Sequence, residues 1–334
     1  MAVAQSFGVL NYSGMLFNKG NTRTPLSTMI GSKRMVTNHV EFAVGQYYTG
    51  GGSGSQPAIS ETASLTAPSP SSATRTQMTN VTQIFQETFG VSYAKESNMG
   101  TLSGLNVASQ TATPTNELDF QAAVKMEKIA RDIEYTFIQG AYNKATTDAT
   151  INKTRGLTTA ITTNVTAMSS APLGVWDIAE MAQKIYGQNA PTDGLVVWAD
   201  ATTIMQLNAD AAANGLTIAP SDRTVNGINL LQVVTPFGLV YLQKGECLPS
   251  GTALLLNLDV IKPVEQLVPG KGNFFMEELA KTGAGKTYQI FGQIGLDHGP
   301  EWYHGKWTGI STSFTKPAGK SIYVSNASSF PSGA

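Results

Sequence analysis

Residues 116–139 read Asn-Glu-Leu-Asp-Phe-Gln-Ala-Ala-Val-Lys-Met-Glu-Lys-Ile-Ala-Arg-Asp-Ile-Glu-Tyr-Thr-Phe-Ile-Gln. Leu118, Ala122, Met126, Ile129, Ile133 and Phe137 recur at helical spacing and form one apolar stripe, with charges on the remaining faces. Thr115 or Asn116 can cap the start, Glu117 and Asp119 suit the first turn, and Gly140 can end it. About 24 residues at 1.5 Å each predict a rod roughly 36 Å long. Such a helix is a spine around which the rest of a fold is arranged.

On its N-terminal side the chain is irregular. Residues 1–40 carry Lys19, Arg23, Lys33 and Arg34 with no acid before Glu41 and little helical periodicity, which predicts an extended arm lying on its own body or on a neighbour. His39–Tyr48 is strand-like and runs into Gly50, Gly51, Gly52 and Gly54. A polar stretch with Pro68 and Pro70 follows, and Asn80–Val91 alternates like a strand again. Strand-like limbs flanking a Gly/Ser/Pro-rich middle predict a projecting hairpin loop, a length of connection that is usually functional.

On the C-terminal side, past Arg155-Gly156-Leu157, the pattern changes to shorter mixed elements. A helix is expected over Val175–Tyr186, a buried strand over Leu195–Ala199, and a helix capped by Asp200 that carries Ile204 and Leu207. Strands follow at Leu230–Val234, Leu239–Leu242 and Thr252–Leu258. Val264–Val268, Asn273–Leu279 and Thr287–Leu296 read as an antiparallel sheet, and the tail from Trp302 as extended.

Composition removes several classes of function. With 334 residues the chain can bury a sizeable core. Only 13% of residues are charged, about half the usual share, so much of the surface suits contact with other protein. The 22 Lys+Arg against 23 Asp+Glu give a net charge of -1 and no global field to attract DNA or an anionic membrane. The four arm cations are too dispersed, and too poor in interleaved aromatics, for specific nucleic-acid recognition. The lone Cys247 cannot form an internal disulfide or a thiolate zinc site. Without a signal peptide or a membrane-length apolar run, the expectation is a soluble protein not exported by the usual route.

The strings that suggest catalysis fail one by one. Gly283-Ala284-Gly285-Lys286-Thr287 ends like a phosphate-binding loop, but position 280 is Ala where that motif needs Gly. A Gly-rich hairpin turn explains it better. His298, Glu301 and His304 could ligate zinc from one helical face, yet Gly299, Pro300 and Gly305 argue against a helix, and HExxH order is missing. Exposed or hydrogen-bonded loop histidines are expected instead. His39 has no neighbouring nucleophile, there is no GxSxG elbow, and Cys247 reads as an inert thiol. Arg131, Asp132 and Glu134 read as an exposed or interface ion-pair network. No enzyme is expected, and no cofactor or metal.

The order of motifs resembles the major capsid proteins of tailed bacteriophages. The arm carries Thr24-Pro25-Leu26 followed by Ser27–Ile30, and the loop returns through Asn80-Val81-Thr82-Gln83-Ile84-Phe85. Arg-Asp-Ile-Glu stands at 131–134, Arg155-Gly156-Leu157 opens the next region, and Lys281-Thr282-Gly283 makes a turn. A closing strand at Gln289–Leu296 and His298-Gly299 complete a likeness spanning residues 12 to 310.

The resemblance implies an α+β shell fold, shared with herpesvirus capsids. Its parts would be an N-terminal arm at 1–36, an extended β-hairpin loop at 37–79 and a peripheral domain with the spine helix at 80–154. An axial α/β domain would follow at 155–258, a peripheral return at 259–312 and a tail at 313–334. It implies a major capsid protein that self-assembles into hexamers and pentamers of an icosahedral shell enclosing phage DNA. The expected partners are many copies of itself, a portal, a scaffold or cement protein, and double-stranded DNA bound without sequence preference. No membrane is expected, and the location is the virion, after synthesis in the bacterial host cytoplasm. Expected inter-subunit contacts are Thr24, Pro25, Leu26, Tyr47, Tyr48, Gly51, Arg131, Asp132 and Glu134. Some members weld neighbours through a loop lysine, but here no Lys lies between Lys33 and Lys95. The rival readings are a tail-tube or decoration subunit, or a hydrolase using metal on His298 and His304 or nucleotide on Lys286.

Overall fold

A computed structural model describes residues 24–49, 54, 56–70, 72–94, 117–214, 219–225, 228–281 and 283–314. In chain order the elements begin with helix α1 (Pro25–Ile30), strand β1 (Met35–Thr37), β2 (Glu41–Thr49), the short helix α2 (Glu61–Ser64), β3 (Thr74–Val81) and β4 (Gln83–Ser92). The spine α3 (Glu117–Gln139), α4 (Leu157–Ala160), β5 (Val165–Ala167), α5 (Val175–Gly187), β6 (Leu195–Ala199) and α6 (Ala201–Ala213) follow. Then come β7 (Ala219–Val225), β8 (Ile228–Thr235), β9 (Gly238–Lys244), β10 (Ala253–Leu256), β11 (Lys262–Gln266), β12 (Phe275–Glu278), β13 (Gly285–Asp297) and β14 (Gly305–Thr308).

The spine forms where the apolar stripe predicts it. Ile129, Phe137 and Ile138 are buried, and Leu118, Ala122 and Ile133 pack on the same cluster. Met126 departs from the expected stripe and is 42% exposed. Beneath the helix lies a five-stranded sheet whose centre is β13, paired antiparallel with β4 on one side and with β11 and β12 on the other. In β4 the odd-numbered residues Phe85, Phe89 and Val91 turn inward, and Ile84 on the opposite face is 56% exposed, as strand alternation requires. β1 adds to the sheet edge parallel to β11.

The second sheet has seven strands in the order β5-β14-β10-β6-β9-β8-β7. Its central strand β6, Leu-Val-Val-Trp-Ala, is buried along its whole length, the signature of a strand covered on both faces. Val196 and Trp198 enter the core shared with the spine, and Leu195, Val197 and Ala199 enter a second core under α5 and α6. Asp200 caps α6 by accepting from the Thr203 amide at 2.8 Å.

Two expectations need correction, and two further strands take partners the sequence does not indicate. The arm is not wholly extended, since Pro25–Ile30 is helical, Pro at the first helical position presetting φ. The limb returning from the loop is Thr74–Val81, not Asn80–Val91, because β2 pairs with β3 while β4 belongs to the five-stranded sheet. β14, placed by sequence with the peripheral return, is hydrogen-bonded in the seven-stranded sheet between β10 and β5. β7, Ala-Pro-Ser-Asp-Arg-Thr-Val, was not foreseen as a strand and is paired by β8.

Candidate functional site

The arm is fastened to the spine by one carboxylate. Glu134 is fully buried and accepts from the Leu26 amide at 2.8 Å, the Ser27 amide at 2.8 Å and the Ser27 hydroxyl at 2.6 Å. These amides open α1, where no intrahelical acceptor exists, so the spine supplies one from a distant point in the chain. Leu26, Met29 and Ile30 close over the site and are almost wholly buried. Burial pushes the Glu134 carboxyl above its ordinary value; the bonds from Ser27 and Leu26 oppose this, and nearby Glu246 adds to it. Further along, the Lys33 ammonium donates to the Leu258 carbonyl at 3.1 Å and to Asp259 at 2.9 Å.

Glu134 is therefore not part of an exposed ion-pair network, and Pro25 and Leu26 face their own chain. Asp132 is exposed and Arg131 and Thr24 are half-buried. Tyr47 and Tyr48 lie on β2 with side chains outside the described residues, and Gly51 and the rest of the expected tip, residues 50–53 and 55, also lie outside them. So do arm residues 1–23 and tail residues 315–334.

The hairpin β2–β3 is braced at its root. Asn80 is fully buried. Its amide nitrogen donates to the carbonyls of Leu296 at 2.7 Å and Arg155 at 3.2 Å, and its oxygen accepts from the amides of Val81 and Arg155. One side chain thus ties loop, closing strand and the Arg155-Gly156 turn together. Local sequence around Asn80 carries no sign of this role, because its partners lie 75 and 216 residues away. Glu41 accepts from Thr79 and Lys144, bonds that hold its carboxyl below the ordinary value. Gly45 lies against the Gly299 carbonyl and Pro300, where an added Cβ would be 3.5 Å from each.

Beyond the root the described residues of the hairpin are open to solvent. Every described residue from 54 to 77 is exposed, including Ile59 at 68% and Leu65 at 85%.

The chemistry-bearing strings take structural roles. Gly283 to Thr287 closes the β12–β13 hairpin and leads into a strand rather than a helix; the Gly285 amide donates to Gly283 and the Leu279 amide to Thr287. His298 and His304 are both fully buried, so neither is an exposed loop histidine. Glu301 accepts from the amides of Thr162 and Thr163 and from the Thr163 hydroxyl. Among the described residues no group of three or more His, Cys, Asp or Glu is placed to hold a metal ion. The Cys247 thiol is pushed up by burial and then by Glu134 and Glu246, the opposite of an activated nucleophile. No helix among the described residues is long and apolar enough to cross a membrane.

Comparison with known proteins gives this arrangement a context. No curated protein sequence matches the chain. Among solved structures, the holo-SrpI encapsulin complex of Synechococcus elongatus PCC 7942 superposes with a TM-score of 0.60 at 11% identity, covering 91% of this chain and 92% of that one. The capsid asymmetric unit of cyanophage A-1(L) gives 0.60 at 10% identity, covering 88% and 94%. Mycobacterium phage Che8 gives 0.52 at 12% identity, covering 92% and 98%. At such identities the likeness shows the fold of phage capsids and encapsulins alone. The sequence profile of one family decides between them by matching residues 2–311. A mixed helix-and-sheet tile with a shell-protein fold and that match over nearly its full length is a shell-forming capsid protein, and the chain belongs to the SU10 major capsid protein family.

Proposed function

We propose that the hairpin β2–β3 is the reach of one tile onto the next, and that copies so joined form hexamers and pentamers of an icosahedral phage shell. The observation that supports this is the uniform exposure of described residues 54 to 77, with Ile59 and Leu65 bare. A two-stranded ribbon is marginal alone in water, and apolar side chains at its end gain only where another surface covers them. Tyr47, Tyr48 and Gly51 lie on or beside this ribbon and are the contact residues we assign to it. The arm segment Thr24–Leu26, docked through Glu134, and the spine residues Arg131 and Asp132 are the further contact residues we assign.

No catalytic step is needed for this role. Each tile holds several neighbours at once, so a single broken contact reforms at high effective concentration. Near-neutral charge keeps dense copies from repelling one another within a Debye length of about 8 Å. Because the ribbon lacks lysine between Lys33 and Lys95, we assign the shell's cohesion to non-covalent contacts or a cement protein. Double-stranded DNA packed without sequence preference, a portal and a scaffold complete the set of partners, with synthesis in the bacterial cytoplasm.

The test replaces residues 50–73 with an Asn-Gly turn, closing the ladder where Thr49 pairs with Thr74. The expected result is a folded chain of unchanged melting temperature that yields no closed particles by electron microscopy. Particles of normal form and yield from this variant would overturn the proposal.

A further inference from the structure

The two sheets are joined by the connector 298–304, which leaves β13 of the five-stranded sheet and enters β14 of the seven-stranded one. Two other segments cross between the sheets beside it, and both are bonded to it. From the crossing that follows β10, the Asn257 amide donates to His304 Nδ1 at 3.1 Å. From the crossing that precedes β5, Thr162 and Thr163 donate to Glu301, and the Asn164 side chain donates to the carbonyls of Trp302 and His304. Gly299, at φ 65°, presses on Val260, where a Cβ would come within 2.8 Å. The foot of the hairpin rests on the same connector through Gly45.

This arrangement fixes the charge state of His304 by geometry. Its Nδ1 accepts a backbone N–H, so the ring proton sits on Nε2, which donates to the His298 carbonyl at 2.8 Å. A second proton on Nδ1 would oppose the Asn257 amide, donor against donor. His298 is fully buried, and neither of its ring nitrogens makes a hydrogen bond of good geometry among the described residues; the adjacent Gly299 backbone favours a proton on the ring, but less than burial and His304 oppose it. A proton there would be a buried charge with no ion pair made to it, the nearby Glu301 being engaged elsewhere.

We propose that the His298–His304 connector is an acid-released joint: protonation of its two buried imidazoles breaks the Asn257–His304 bond and places charge inside the seam where the three inter-sheet crossings meet. The surrounding charges do not compensate. Arg155 and the second histidine repel a charge on His298. Lys306 donates to the Thr158 carbonyl, and Asp297 accepts from the Gly299 amide beside Lys262. Glu301 is the anion that attracts both rings, and its oxygens are already taken by Thr162 and Thr163. Burial accordingly holds both imidazoles down, from 6.5 to about 4.

The sign follows from linkage. A histidine whose folded value lies below its unfolded one binds fewer protons when folded, so its contribution is complete above pH 6.5 and shrinks as pH falls toward about 4. Each imidazole raises the unfolding constant by up to about tenfold per pH unit in that window. Asp297 and Glu134, whose values are raised, act in the opposite direction.

The experiment measures urea unfolding of the full chain from pH 7.5 to 5 for wild type, His298→Phe, His304→Asn and the double variant. Amide exchange protection at Asn257, Thr162 and Thr163 is followed in parallel. Phe keeps the ring volume without titrating, and Asn can accept from the Asn257 amide. Expected are a loss of about one proton of pH dependence per substitution, unchanged stability of His298→Phe at pH 7.5, and protection at Asn257 that falls selectively at pH 5 in wild type. The same pH dependence in His298→Phe as in wild type, or undiminished protection at Asn257, would overturn the proposal. Should His304→Asn not fold, those two readouts decide alone. None depends on particle assembly, so the outcome is separate from that of the loop replacement.

Discussion

Gly140 and Gly156 meet back to back where the spine ends, with the Gly156 amide donating to the Gly140 carbonyl at 2.9 Å. A Cβ on Gly140 would stand 2.4 Å from the Thr136 carbonyl and 2.5 Å from that of Thr154, and one on Gly156 would stand 2.4 Å from the Gly140 nitrogen. These are backbone atoms and cannot swing aside. The spine therefore ends here because only two glycines allow the chain after it to return this closely.

The first prediction is that Gly140→Ala or Gly156→Ala destabilises the fold by about 3 kcal/mol or more, beyond ordinary overpacking. Gly187→Ala is the control, since nothing lies within 4 Å of its Cβ position in a helix; it should be neutral or stabilising by up to about 1 kcal/mol. Thermal unfolding of the three variants separates these outcomes, and equal melting temperatures would contradict the packing.

Asn80 carries the second prediction. Asn80→Ala strands the Arg155 amide and the Leu296 carbonyl in the interior, each worth about 1–3 kcal/mol when unpaired. Asn80→Asp is expected to cost more than Ala, because a carboxylate oxygen would replace the amide donor facing the Leu296 and Arg155 carbonyls. Denaturant unfolding should rank them wild type, Ala, Asp in falling stability.

The third concerns the arm. Glu134→Gln turns one acceptor into a donor opposite the amides of Leu26 and Ser27 and should loosen α1 by about 1–3 kcal/mol. Limited proteolysis after Arg34 or Lys33, with the core intact, is the readout. The Glu134 carboxyl is raised by burial, so its folded form binds more protons than its unfolded form. Overall stability thus gains from this group as pH falls from neutral toward 4.5, by relief of the buried charge, and that part of the pH dependence should be absent in Glu134→Gln when unfolding is followed against pH.

Much of this molecule is legible where the signal is local. The spine, the all-apolar β6 and the Asp200 cap depend on neighbours within a few residues, and each forms where the sequence places it. The helix α1 has six residues and no stripe of its own. It stands because Glu134, 108 residues away from Leu26, supplies its acceptor, and no window of sequence contains that pair. β7 is polar and exists as the partner of β8. β14 joins the far sheet because Ala253 and Trp307 meet across it, a pairing that hydrophobic periodicity cannot see. The hairpin is visible in sequence as strand-like limbs around a Gly/Ser/Pro-rich middle, but the root that holds it, Asn80 above all, emerges only when Arg155 and Leu296 are brought beside it.

The anchoring of the hairpin has a mechanical meaning. Its root is clamped by Asn80 and Glu41 and leans on the connector through Gly45, while its described residues from 54 to 77 are exposed. It is thus a lever with its fulcrum at the seam between the sheets. On the inter-tile contact proposed above, a pull at the free end would arrive as torque on that seam, inside the tile, at the place where its two halves are sewn together.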